Sequence, residues 1–179
     1  MMGKRVSVTL GTEHFTEANE TVRDALLRAD TVVVREAFAQ RYLGCAMPTG
    51  KTLEIHGVPG NDLACYLDGG RIEVFGNAQD QVGNTMDGGC IVVHGRCGDA
   101  AGYGMRGGQI FVRDGCGWRV GIHMKQFEDK RPAIVIGGRR QLPRRVPGGR
   151  RHRALGQAGA PPGHRHARRR DLPQAPHRR

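Results

Sequence analysis

The feature that most constrains this chain is a period. Written in rows of nineteen from Leu53, the sequence aligns residue types column by column. Leu53, Ile72, Ile91 and Ile110 share one column, and Ile55, Val74, Val93 and Val112 share the column two places on. Gly57, Gly76 and Gly95 share the next strong column, which Asp114 interrupts. Gly83, Gly102 and Gly121 follow, each three residues ahead of a methionine, Met86, Met105 and Met124, with Leu67 in the methionine column one row earlier. Gly69-Gly70, Gly88-Gly89 and Gly107-Gly108 close the rows. The rows that start at Ile72 and Ile91 agree at eight of nineteen positions: 72/91, 74/93, 76/95, 80/99, 83/102, 86/105, 88/107 and 89/108. A fifth row starts late, after an insertion around Lys125–Pro132, with Ile134 and Ile136 in the two aliphatic columns. Gly44 and Met47 mark a degenerate earlier turn.

Apolar residues two apart on a strand point to one face. Each row therefore supplies one short strand with two inward side chains, a turn, and a second inward cluster around the methionine. One such row cannot bury its apolar face alone. Rows stacked about 4.8 Å apart pair every strand with its neighbours and bury a continuous apolar column. Glycine recurs where the chain must bend or adopt positive φ. The period predicts an all-β chain, a parallel β-helix with coils of about nineteen residues.

Upstream the pattern changes. Thr16–Ala29 carries Val22, Leu26 and Leu27 on a helical spacing, with Thr16 or Glu17 near its start, and reads as one amphipathic helix. Thr31–Val34 reads as a strand. The helix is expected to cap the first coil, since an open β-helix end exposes unpaired backbone. The organisation expected is an N-terminal strand and capping helix over 1–30, a Gly-rich β-helix over 31–138, and a tail over 139–179.

The tail holds the charge. Of the chain's 179 residues, 139–179 contain thirteen arginines and one acid, Asp171, so residues 1–138 are near neutral although the whole chain carries +11. A segment of Arg, Pro, Gly, Ala and His cannot bury enough surface to offset its ordering entropy and is expected to be disordered. It reads as an out-of-frame translation of further coils, so nucleic-acid binding through it is the weakest of the functional readings. No stretch of 18 or more apolar residues is present, so no membrane span is expected, and the first residues carry no apolar core of a signal peptide. Five cysteines, Cys45, Cys65, Cys90, Cys97 and Cys116, with no CxxC pair, fit a reduced, cytoplasmic location.

Motifs suggestive of chemistry have plainer readings. Gly102-Tyr103-Gly104-Met105-Arg106-Gly107 spells GxGxxG, yet a strand rather than a helix follows it, against the dinucleotide fingerprint. Gly50-Lys51-Thr52 ends like a P-loop, but the upstream glycine falls at 44, one place off. Cys97 and Cys116 occupy equivalent places in adjacent rows, above Ala78, which fits a small-residue turn column better than a metal or disulfide site. His56 and His94 flank Phe75 in one outward column, and His123 lies in another. Ser7 is the only serine, and no GxSxG elbow exists. Asp62, Asp80 and Asp99 read as turn caps. The residues assign no catalytic, cofactor-binding or metal site.

Four strings, GVPGNDL at 57–63, GNAQDQVGNTMDGG at 76–89, IVVHGRCGDAAGYGMRGG at 91–108 and RVGIHMK at 119–125, resemble the Gly-rich GXGXG repeat domain of the glutamate synthase large (alpha) subunit, in its stand-alone form. One of the subunits of formylmethanofuran dehydrogenase carries a related repeat and is the runner-up. The resemblance covers about residues 30–138, and the upstream helix with Gln40-Arg41-Tyr42 also fits it. It implies a right-handed β-helix with a structural role in an oxidoreductase assembly that makes glutamate from glutamine and 2-oxoglutarate. It implies no enzyme activity in this chain alone. FMN, the iron–sulfur cluster and the glutaminase nucleophile are expected in partner chains, the synthase and glutaminase domains. The family's further coils should follow Gly138, where this sequence departs.

Overall fold

The computed structural model of the chain describes residues 3–138. The Arg-rich tail, expected from its composition to be disordered and out of frame, lies outside the described residues. The elements run β1 (Arg5–Thr9), α1 (Phe15–Arg28), β2 (Thr31–Phe38), β3 (Thr52–Val58), β4 (Asp68–Phe75), β5 (Gly88–Val93), β6 (Arg96–Cys97), β7 (Gln109–Val112), β8 (Gly115–Cys116) and β9 (Ala133–Ile136). Seven strands form one sheet in the order β1-β2-β3-β4-β5-β7-β9, and β6 pairs with β8 in a second. Every pairing between these strands is parallel. A parallel sheet whose strands succeed one another in chain order is a β-solenoid, here of about five turns.

The register carries the period into space. Leu53 pairs with Ile72, Ile72 with Ile91, Ile91 with Ile110 and Ile110 with Ile134. Ile55, Val74, Val93, Val112 and Ile136 form the second ladder. Both ladders also run upstream, through Val32 and Val34 of β2 to Val6 and Val8 of β1. The period does not reveal these two rungs, because the helix and a longer turn separate them from the regular rows. The inner residues of β3, β4, β5 and β7 are almost wholly buried, each aliphatic side chain contributing about 1.5–3 kcal/mol relative to exposure. Leu67, Met86 and Met105 line the opposite wall and are fully buried, while Met124 in the last turn is only partly covered.

The turns repeat as closely as the strands. In each coil a backbone N–H at the methionine column bonds the carbonyl three residues back: Met47 to Gly44, Leu67 to Ala64, Met86 to Gly83, Met105 to Gly102 and Met124 to Gly121. The turns also bond to each other, as Gly83 N–H to Leu63 O and Gly102 N–H to Val82 O, both 2.7–2.8 Å. Gly83 shows why glycine sits there. Its φ is +68°, and an added Cβ would lie 2.6 Å from Ile110 Cδ1, a strand side chain reaching across the core. Gly95 is required for a different reason: a Cβ would meet the carbonyl oxygen of Gly76 in the coil below. Asp114, which interrupts that glycine column, keeps the backbone ladder through its N–H to Gly95 O and turns its carboxylate outward to Arg113.

The helix differs in detail from its sequence reading. It starts at Phe15, with His14 as N-cap and its ring accepting from Thr16 N–H. Its buried face is Ala18, Asn19, Val22, Ala25 and Leu26, whereas Leu27 is 77% exposed. Small alanines complete the inward stripe, so Leu27 is rotated off it. The helix packs on β1 and β2 and approaches the first turn at 44–48. Two buried polar side chains fasten it there. Asn19 donates to Phe15 O and Arg41 O, and Gln40 donates to Gly11 O and accepts from Phe38 N–H. The strand expected over Thr31–Val34 runs on to Phe38, with a bulge between Val34 and Ala37. Among the described residues no helix is long and apolar enough to cross a membrane.

Candidate functional surfaces

Because the ladders fill the interior, side chains able to recognise anything lie on the outside of the coils. One flank carries a ring stack. His56, Phe75 and His94 occupy the same column on successive strands, with centroids 4.7 and 4.9 Å apart and planes within 15° of parallel. Phe75 stays exposed and the histidines are half-buried, as the outward reading of this column predicts. His94 Nε2 lies 2.7 Å from Glu73 Oε1, and Arg71 lies on the other side of the same carboxylate. The hydrogen bond from His94, aided by Arg71 and opposed by burial, holds the Glu73 carboxyl below the usual range.

A second surface follows the turns. Asn61, Asp80 and Asp99 stack in one column, and each accepts from the backbone N–H one coil on, those of Asp80, Asp99 and Trp118, at 2.7–3.2 Å. Asp80 and Asp99 are the caps the sequence suggests. Asp62 is not in that ladder: its carboxylate accepts from the Asn84 side chain. Asn61 is the missed member, and the nineteen-residue offset to Asp80 is the signal for it. Tyr66, Tyr103 and Trp118 project from the same turns.

The fingerprint-like motifs resolve into coil structure. Gly102 and Gly104 both have positive φ, and the chain runs from this turn straight into β7, with no helix at its end. The equivalent places one coil to either side also hold positive φ, Gly83 and Gly121 for Gly102, and Thr85 and His123 for Gly104. Lys51 is drawn inward, its ammonium donating to Ala29 O and pairing with Asp30 at 3.3 Å, so it fastens the helix end to β3. Ser7 is an exposed residue of β1. His123 meets Tyr103 edge-on at 5.5 Å, away from the other histidines.

This architecture is matched by a family model described as the GXGXG motif, over residues 4–149. The chain belongs to the GXGXG family. A relative, the uncharacterized protein MJ1350 of Methanocaldococcus jannaschii, is 48% identical over 130 residues, which is 70% of this chain and 50% of the relative. The chain thus spans about half the length of the curated relative it matches. No solved structure matches.

The cysteines of this GXGXG chain are placed in pairs that the sequence only half reveals. All five are free thiols. Cys97 and Cys116 are register partners in the β6–β8 ladder. The hydrogen bond to Cys116, with burial, pushes the Cys97 thiol up, and the same bond holds Cys116 below the usual thiol range. Cys45 and Cys65 form a second pair one coil apart. Burial, followed by Cys45, pushes Cys65 up to about 12. The first turn is longer by one residue, which hides that pair from the nineteen-residue offset. Cys45 also lines a crevice of about 330 Å³ between α1 and the first turn, together with Val22, Leu26 and Met47. The insertion at Lys125–Pro132 folds back along the coils. Its Lys130 bridges Asp68 and Asp87 at 3.1 and 3.4 Å, and Phe127 sits under the Arg106 guanidinium.

Proposed function

We propose that this chain is a non-catalytic scaffold subunit of a glutamate-synthase-like oxidoreductase complex, serving glutamate formation and nitrogen assimilation. The observation that supports it is membership of the GXGXG family along the length of the solenoid. In glutamate-synthase-type proteins this domain is a part without catalytic chemistry. The physical build agrees: an interior packed with aliphatic ladders and a rigid exterior of stacked rings, turn caps and ion pairs. Such a body contributes to an assembly by buried area and by positioning its neighbours. The partners proposed are a synthase chain holding FMN and an iron–sulfur cluster and a glutaminase chain.

The test is co-expression of the full chain with the synthase and glutaminase genes of its own locus, followed by purification through a tag on this chain. The expected result is a stoichiometric complex whose flavin and iron–sulfur absorbance resides in the partners, with glutamate formed only by the assembly. Turnover of glutamine, 2-oxoglutarate or a reduced nicotinamide by the purified chain alone would overturn the scaffold reading. Assembly with chains of one-carbon formyl metabolism instead would move the chain to the formylmethanofuran-dehydrogenase side of the resemblance.

A further inference from the structure

We propose that Cys97 and Cys116 form a thiol–disulfide exchange site that reacts with low-molecular-weight disulfides and locks two neighbouring coils together. Three observations carry this. The two residues are direct register partners on parallel strands. Neighbouring strands lie about 4.8 Å apart, inside the roughly 4.4–6.8 Å Cα separation that a disulfide spans. Both are free thiols, and their environments differ: Cys97 is 6% exposed, whereas Cys116 is only partly covered. The same column holds Ala78 one coil below, so the position accepts a small side chain without needing sulfur for packing.

The geometry assigns an order to the two thiols. Cys116 is the more accessible one, and the neighbouring Cys97 thiol holds it below the usual thiol range, which favours the Cys116 thiolate. The Cys116 thiolate attacks one sulfur of the small disulfide, forms a mixed disulfide and expels one thiolate, which takes up a proton. Cys97 then loses its proton, attacks the Cys116 sulfur and expels the second thiol. The balance is two protein thiols plus one small disulfide giving one protein disulfide plus two small thiols. The product ties β6 to β8. Cys90 provides an internal control, since its register partners are Arg71 and Gln109 and it has no thiol across the ladder.

The experiment uses the full chain, reduced and freed of reductant, then treated with oxidised glutathione and quenched by alkylation. Intact mass and peptide mapping are read on the native protein and on Cys97→Ala, Cys97→Ser and Cys116→Ser. The native chain should lose two hydrogens, carry one bond between Cys97 and Cys116, and revert with dithiothreitol. Cys97→Ala, which repeats the residue at Ala78, should halt at one glutathione on Cys116; Cys97→Ser should do the same if the alanine variant folds poorly. Cys116→Ser should form neither adduct nor bond at Cys97. A native chain that stops at a mixed disulfide, or whose bond maps elsewhere, overturns the proposal, as does a Cys97 variant that takes no glutathione on Cys116.

Discussion

The middle coils and the two ends of this solenoid are built from the same kind of strand, yet they are stabilised differently. In the main sheet β3, β4, β5 and β7 each have an equivalent strand on both sides, and their inward residues are wholly buried. At the N-terminal end the last rung is β1, whose Val6 and Val8 are only half-covered, and α1 is laid on β1 and β2 and fastened by Asn19, Gln40 and Lys51. At the other end of the described residues all four residues of β9 are half-buried, and the folded-back insertion is held by Lys130. Repetition suffices where a coil has two neighbours. Where it has one, individual polar contacts and non-repeating segments take over, because backbone groups and apolar side chains at an edge find no identical partner.

The largest expected effect tests whether the central stack tolerates any added volume. Gly95→Val places a side chain against the Gly76 carbonyl oxygen and within 2.5 Å of Asn77 Oδ1, where backbone rather than a flexible tip must move. The expected cost is about 4 kcal/mol or more, seen as loss of soluble folded chain or a collapse of the unfolding midpoint. A folded Gly95→Val protein of native stability would mean that the coils are not in the close contact described.

A paired substitution measures the contrast itself. Ile91→Ala removes a fully buried side chain with a rung on each side and should cost about 2–5 kcal/mol. Ile134→Ala removes the same atoms from a half-buried rung at the end and should cost about half as much. Denaturant unfolding of both variants gives the ratio. Equal costs would show that the last coil is as well covered as the middle.

The smallest effect concerns the outer face of the middle. Glu73 has its carboxyl pKa lowered by His94 and then by Arg71. A depressed folded pKa gives stability that is complete above the unfolded value, about 4.3, and is lost as pH falls through the folded one. The native chain should therefore exceed Glu73→Gln modestly at neutral pH, and the gap should close on acidification below about pH 4, as read by thermal unfolding across pH. A gap independent of pH would assign the pair no role in stability.

How much of the fold is legible in the sequence depends on whether a residue's role repeats. Leu53, Ile72, Ile91 and Ile110 announce themselves as a ladder because stacking equivalent positions forces equivalent residues into register. Val6 and Val32 belong to the same ladder and are silent, since intervening segments of other lengths break the period. Leu27 reads as inward from its type, but the face of α1 is set by what it packs on, and alanines serve there. Cys97 and Cys116 are visible as column mates, whereas Cys45 and Cys65 are hidden by one extra turn residue. The sequence by itself determined the repeat, the inward columns, the glycine turns and the family resemblance, because each follows from a spacing along the chain. Only the tertiary structure decided how the helix is pinned, that Lys130 spans two coils, and that Cys45 and Cys65 meet across the first turns, because those contacts join residues whose separation the period does not encode.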